Sequence, residues 1–235
     1  MSRKLWFRKK LLALVFWALL VISFLFFASL IILKANGYQL IWHYWRIQKT
    51  GMIILDGEPK DVQIKLNQKY LVGFPEKLAN QTPGTYDVSV TREGYHSWQK
   101  VLSVEPGKAA NSSNILLFYD NPSPIDLPGG LTAQKILSEY QTASLDLEIR
   151  QKELYWQGGL LTRFDDEILA ASIFPDDEHF VCQIQNEIRI FDLDASNNIL
   201  LFSLNSYEPT VFTFRDNGHT IIYLDEGKIM AKAIR

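Results

Sequence analysis

Residues 83–98, PGTYDVSVTREGYHSW, decide how the middle of this chain folds. Pro83-Gly84 suits the central pair of a type II turn, because proline presets the first dihedral and glycine supplies the positive one. Tyr86, Val88 and Val90 then alternate with Asp87, Ser89 and Thr91, the two-residue period of a half-buried strand. Arg92-Glu93-Gly94 reads as the next turn, with Gly94 at positive φ, and Tyr95 and Trp98 start a strand that runs on through Val101, Leu102 and Val104. Tyr95, His96 and Trp98 crowd this turn, and they either form a binding platform or close a small β domain. The glycines stand where turns need them, so we read Tyr95 and Trp98 as caps on a core face made by Tyr86, Val88 and Val90.

Outward from this stretch, residues 50–119 keep the same short period, with about six or seven strands separated by turn residues. Met52 to Leu55 is one strand, ended by Asp56-Gly57 and Pro59. Val62, Ile64 and Leu66 alternate with Gln63 and Lys65, Asn67-Gln68 turns the chain into Lys69 to Val72, and Gly73-Phe74-Pro75 breaks that strand. Pro106-Gly107 is another turn, and Ile115 to Phe118 a closing strand. Strands this short with turns this frequent imply a small β-sandwich.

The order TGMIILDGEPKDVQIKLNQKYLVGFPEKL, then QTPGTYDVSVTREGYHSWQKVLSVEPG, resembles the PEGA domain, a β-sandwich module of surface-exposed prokaryotic proteins. The matches are Pro83-Gly84 before a strand with Tyr86, then Glu93-Gly94-Tyr95 with Trp98 three residues on. Pro59-Lys60-Asp61-Val62 stands where the family has Pro-Glu-Gly-Ala, and Gly73-Phe74-Pro75 where it usually has Gly-x-Thr-Pro. The resemblance covers about seventy residues and implies a fold and a place on the cell surface. It implies no catalysis, because the module is not an enzyme.

Ahead of this module, residues 11–33 form an unbroken apolar run without charge. A helix of that length crosses a hydrocarbon core of about 30 Å. A cleaved signal peptide has an apolar region of only about 7–15 residues and a small-x-small site, poorly provided here by Ala28-Ser29-Leu30. We therefore expect an uncleaved transmembrane helix after a basic tail, residues 1–10. Arg3, Lys4, Arg8, Lys9 and Lys10 precede it and Lys34 follows, so the positive-inside rule puts the N-terminus in the cytoplasm and the rest outside the cytoplasmic membrane. Tyr38, Trp42, Tyr44 and Trp45, in residues 34–49, suit an aromatic collar at the membrane interface.

With a net charge of −2 overall and +5 on the first ten residues, the remainder stands at −7, which leaves no basic surface for nucleic acid. The single cysteine, Cys182, excludes an internal disulfide and any cysteine zinc site; its run FVCQI makes it a packed small hydrophobe.

NPSPIDLPGG, within residues 120–137, reads as a linker. In residues 138–235, SIFPDDEHFVCQIQNEIRIFDL and TFRDNGHTIIYLDEGKIMAKAI form a weak repeat about forty residues apart. Phe174 aligns with Phe214, Asp176 with Asp216 and His179 with His219. Gly218 ends the second acidic turn. The repeat is similar to the WD40-like blades of periplasmic β-propellers. About a hundred residues supply two to three blades, too few for a closed ring of roughly four to eight, so we expect a shortened, partial propeller whose strands form an open or two-layer sheet; the alternatives are a fragment of a longer product and a subunit completed by partners.

The four histidines, His43, His96, His179 and His219, lack metalloprotease spacing. The acidic runs 165–167 and 176–178 read as solvated turns, not calcium loops. No catalytic residue, metal or cofactor is expected. The chain reads as mainly β, with a transmembrane helix, a PEGA-like sandwich and a partial propeller. It is expected to bind cell-wall glycan, surface-layer protein or another envelope protein; the alternative is an accessory subunit that docks in an envelope complex through its β domains.

Overall fold

A computed structural model describes residues 2–41, 46–127 and 129–235. The chain is mainly β with one N-terminal apolar helix and several small antiparallel sheets, and no closed barrel forms among the described residues. It divides into two compact units: Met1–Ile54, Glu76–Thr85 and Ser103–Asn111, and Leu55–Pro75, Tyr86–Leu102 and Ser112–Arg235.

The first unit begins with helix α1, Ser2–Ala35. Its stretch Leu14–Ala35 has a mean hydropathy of 2.7 and is not buried against the protein, so it is long and apolar enough to cross a membrane. Gly37, at φ +78, ends it in a left-handed cap, with its N–H on the Lys34 carbonyl. Strands β1, Tyr38–Ile41, and β2, Arg46–Lys49, come next as an antiparallel hairpin.

Seven strands come from the module read as PEGA-like: β3 Gly51–Glu58, β4 Gln63–Leu66, β5 Lys69–Val72, β6 Glu76–Gln81, β7 Gly84–Thr91, β8 Trp98–Val104 and β9 Ala109–Leu116. They form sheets of order β6-β3-β9 and β5-β4-β7-β8. β3 buries every second residue, with Ile53 and Leu55 fully enclosed, as the two-residue period requires. Asn67 takes φ +51 in the tight turn between β4 and β5.

Four local expectations change. Pro83-Gly84 makes no type II turn: Gly84 has φ +151 and is already the first residue of β7. A type II turn needs a φ near +80 at that position, and a reversal is not required where β6 and β7 belong to different sheets. Tyr95 does not start β8; it forms an isolated bridge with Tyr119. The closing strand ends at Leu116, and Leu117 and Phe118 are buried beyond it. The first strand of the module does not end at Asp56-Gly57 but runs through them to Glu58. Strand β6, EKLANQ, is not among the strands expected from the sequence and lacks the β-branched residues that announce a strand.

Past the module, β10, Ser123–Pro124, forms within the stretch read as a linker, and helix α2, Ala133–Ala143, also begins there. The Thr132 hydroxyl caps α2 by accepting the Lys135 N–H at 3.2 Å. Then come β11 Leu147–Arg150, β12 Glu153–Trp156 and β13 Gly159–Arg163 in one sheet, and β14 Ile168–Ile173, β15 His179–Ile184, β16 Glu187–Asp192 and β17 Ile199–Ser203 in a second. A third is built from β18 Phe212–Arg215, β19 Thr220–Asp225 and β20 Lys228–Ala233, with β10 added at its edge.

These sheets share cores. Leu154, Ile168, Phe180, Cys182 and Phe191 join the first to the second, while Val181, Ile190, Leu201, Phe212, Ile221 and Tyr223 join the second to the third. Cys182 is fully buried, and burial pushes its thiol pKa up, consistent with a packing role.

The residues of the two repeated acidic turns are packing devices. Phe174 is fully buried and meets Phe214 edge-on at 5.0 Å. Asp176 accepts the backbone N–H groups of Glu178 and His179 at 2.9 and 3.1 Å, and Asp216 takes φ +52 in the equivalent turn. Gly218 sits at φ +86, and a Cβ there would lie 2.2 Å from the Phe174 ring. Gly218→Ala therefore combines backbone strain with overpacking and should cost about 2 kcal/mol or more, read as a lower melting temperature of the detergent-solubilised chain.

Candidate functional site

β8 opens with Trp98 and β16 closes with Asp192, and the second unit brings them together. Trp98 is 2% exposed and its indole Nε1–H donates to Asp192 Oδ2 at 3.2 Å, across 94 residues of sequence. The same carboxylate oxygen accepts from Ser196 Oγ at 3.1 Å and Asn197 Nδ2 at 2.9 Å. Alongside, the Gln99 N–H donates to Asn197 Oδ1 at 2.9 Å and Lys100 Nζ stands 2.6 Å from Asp194. Trp98 thus does more than cap its own sheet: it fastens β8 to the turn after β16.

His179 completes this cluster from below. Its Nδ1 lies 2.6 Å from Asp176 Oδ2 and its Nε2 3.3 Å from Asp192 Oδ1, with the ring almost wholly enclosed. Burial alone would lower its pKa, but hydrogen bonds to Asp176 and Asp192 outweigh burial and raise it to about 9. For the Asp176 carboxyl, burial likewise opposes ionisation, and the His179 partner overcomes it and lowers the pKa. An imidazolium held between two carboxylates has no free nitrogen for proton transfer, so the cluster serves as a structural clamp.

A second arrangement is open to solvent. Glu58, Lys60, Tyr95, Tyr119, His219 and Arg235 line a cleft of about 290 Å³. The Tyr95 and Tyr119 rings lie 4.7 Å apart, and the Arg92 guanidinium covers Tyr95 at 4.8 Å. Arg235, its side chain 9% exposed, pairs with Glu58 at 2.9 Å and donates to the Asn217 carbonyl at 2.5 Å, while its buried Nε has no protein partner. His219 Nδ1 meets the Arg235 carbonyl oxygen at 3.0 Å. The cleft therefore offers cationic donors beside two aromatic rings.

Tyr95, His96 and Trp98, neighbours in sequence, have separate places. Tyr95 lines the cleft, Trp98 is the buried clamp, and His96 lies 3.8 Å from Asp120 with its Nε2 buried and unpartnered. The other motif residues are scaffold. Pro59 and Pro75 come after cis peptide bonds, Gly73 at φ +82 donates to the Val62 carbonyl at 2.8 Å, and Gly94 at φ +79 shapes the turn beside exposed Glu93. Pro83 lies in a bend, and Tyr86 is half-buried on β7. Of the expected interfacial collar, Tyr38 opens β1 and is 37% exposed, whereas Trp42, Tyr44 and Trp45 lie outside the described residues.

Lys60, Tyr119 and Arg235 carried no signal in the sequence, because they meet only through the fold. Among the described residues no group of three or more histidine, cysteine or acidic side chains is placed to hold a metal.

No known family model matches this chain, and no curated protein does. A solved structure from Bacteroides fragilis, of a protein of unknown function thought to be membrane-associated, matches at 10% identity over 80% of this chain and 96% of that one, with a TM-score of 0.25. The function of this chain has therefore to be argued from its own residues.

Proposed function

We propose that the chain is a non-catalytic, single-pass membrane protein of a prokaryotic cell envelope, with its N-terminus in the cytoplasm and its β units outside the cytoplasmic membrane. There a PEGA-like module, with a partial propeller after it, contacts cell-wall glycan or surface-layer protein. The observation that carries the reading is α1, whose apolar stretch Leu14–Ala35 is not buried against the protein and is of a length that a bilayer covers. Five cations before the apolar run against Lys34 just after it support the orientation. The use of His179, Asp176 and Asp192 as a clamp supports binding over catalysis.

We assign the contact to the cleft at Tyr95. At about 290 Å³ it sits at the small end of ligand sites, the size of a single sugar or amino acid group, with Tyr95 and Tyr119 in its wall to pack against it and Lys60 to donate to its oxygens. The full-length protein in mild detergent should be retained on purified, protein-free cell wall, and Tyr95→Ala should lower retention several-fold while its melting temperature moves little. Retention only when a membrane extract is added points instead to an accessory subunit docking on another envelope protein. Retention under neither condition removes the binding role.

A further inference from the structure

The hairpin after α1 has no room to leave the membrane surface. α1 ends at Ala35 and β1 starts at Tyr38, and three peptide steps reach at most about 10 Å. A headgroup layer is itself about 5–7 Å deep. The far end of the hairpin returns to the same point: the Gly37 carbonyl accepts both the Thr50 N–H at 2.7 Å and the Thr50 hydroxyl at 2.7 Å. Asn36 adds a side-chain bond from Nδ2 to the Ile32 carbonyl at 2.8 Å, which ties the exit to the last turn of the helix.

The register then sorts the hairpin into two faces. Tyr38 stands opposite Lys49, and Ile47 lies two residues before Lys49, so these three share one face. Gln39 and Gln48, paired with each other, lie on the other. Ile47 is 56% exposed and Tyr38 37%, apolar surface left open among the described residues, with Lys49 and Lys34 exposed nearby in sequence. Apolar and tyrosine side chains edged by lysines are the chemistry of the headgroup layer, where rings and alkyl chains sit among the acyl ends and ammonium groups meet phosphates.

We propose that the β1–β2 hairpin lies flat on the bilayer that α1 crosses, with Tyr38 and Ile47 turned into the headgroup layer and Lys34 and Lys49 against lipid phosphates. This rests on α1 being a membrane anchor. It makes the hairpin a lipid-contacting foot for the β domain.

The test uses the full-length chain in phospholipid vesicles, carrying a fluorophore at either Ile47→Cys or Gln39→Cys; native Cys182 is fully buried and stays unlabelled. The label at 47 should be quenched several-fold more strongly by lipids with a quencher near the headgroup than by aqueous iodide, and the label at 39 should show the reverse. Charge reversal by Lys34→Glu with Lys49→Glu should shift the label at 47 towards iodide. If the chain survives an alkaline wash in the vesicles but iodide reaches both labels equally, the flat hairpin is wrong and the anchor stands. If the wash strips the chain from the vesicles, both readings fall.

Discussion

Asp192→Ala should lower the unfolding free energy of the second unit by about 3–5 kcal/mol, the usual cost of removing one partner from a buried charged cluster. The carboxylate accepts from Trp98, Ser196 and Asn197 and faces His179. Its loss strands the indole N–H and leaves the imidazolium with Asp176 alone. Trp98→Phe keeps most of the ring packing and removes only the donor, so its cost should be nearer 1–2 kcal/mol. The two should be non-additive in a double-mutant cycle on detergent-solubilised protein, since both act through one hydrogen bond. Additive effects would mean that the Trp98–Asp192 hydrogen bond contributes nothing to holding β8 on the turn after β16.

The second large effect is a loss of stability on the alkaline side. The His179 pKa is raised from 6.5 to about 9 in the folded chain, so the protonated ring is the form the fold favours. Its contribution is complete below pH 6.5, falls as the pH climbs to about 9, and amounts to at most about 3 kcal/mol. Asp176 works in the opposite sense: its lowered pKa adds stability above the usual carboxyl range and withdraws it as the pH falls. The melting temperature should therefore peak in mildly acidic solution and drop between pH 6.5 and 9. His179→Gln should be less stable at pH 6 yet show a flatter alkaline limb. An unchanged alkaline limb in that variant would place the titration elsewhere.

Much of the fold is legible because it depends on local chemistry. Alternation in Val62, Ile64 and Leu66, the Asn67 turn and the positive φ of Gly94 arise from steric rules that a few residues obey by themselves. The repeat around Phe174 and Phe214 is visible as a spacing, and both copies form strand, acidic turn and strand. Strand β6 and helix α2 carry little signal because their form is imposed by what they pack on: EKLANQ has no strand propensity of note, and of α2 only Ile136 is buried. The edge strand β10 is hidden for the same reason, since Ser123-Pro124 is a strand only because β20 lies beside it.

The equivalent histidines show where local reasoning stops. His179 and His219 occupy matching places in the repeat, yet one is clamped between two carboxylates and the other is exposed beside Arg235. Asp176 and Asp192 both hold His179, whereas His219 Nδ1 meets the Arg235 carbonyl instead of a carboxylate, and the repeat does not single out Asp192. Sequence alone determined the apolar helix, the β character of the chain beyond it and turns such as those at Asn67 and Gly94, because periodicity, chain stiffness and hydrophobicity act over a few residues. Only the tertiary structure decided that Trp98 is a clamp and Tyr95 a cleft wall. Which face of a ring is buried, and by what, depends on residues brought close across a hundred positions, and no short-range rule contains them.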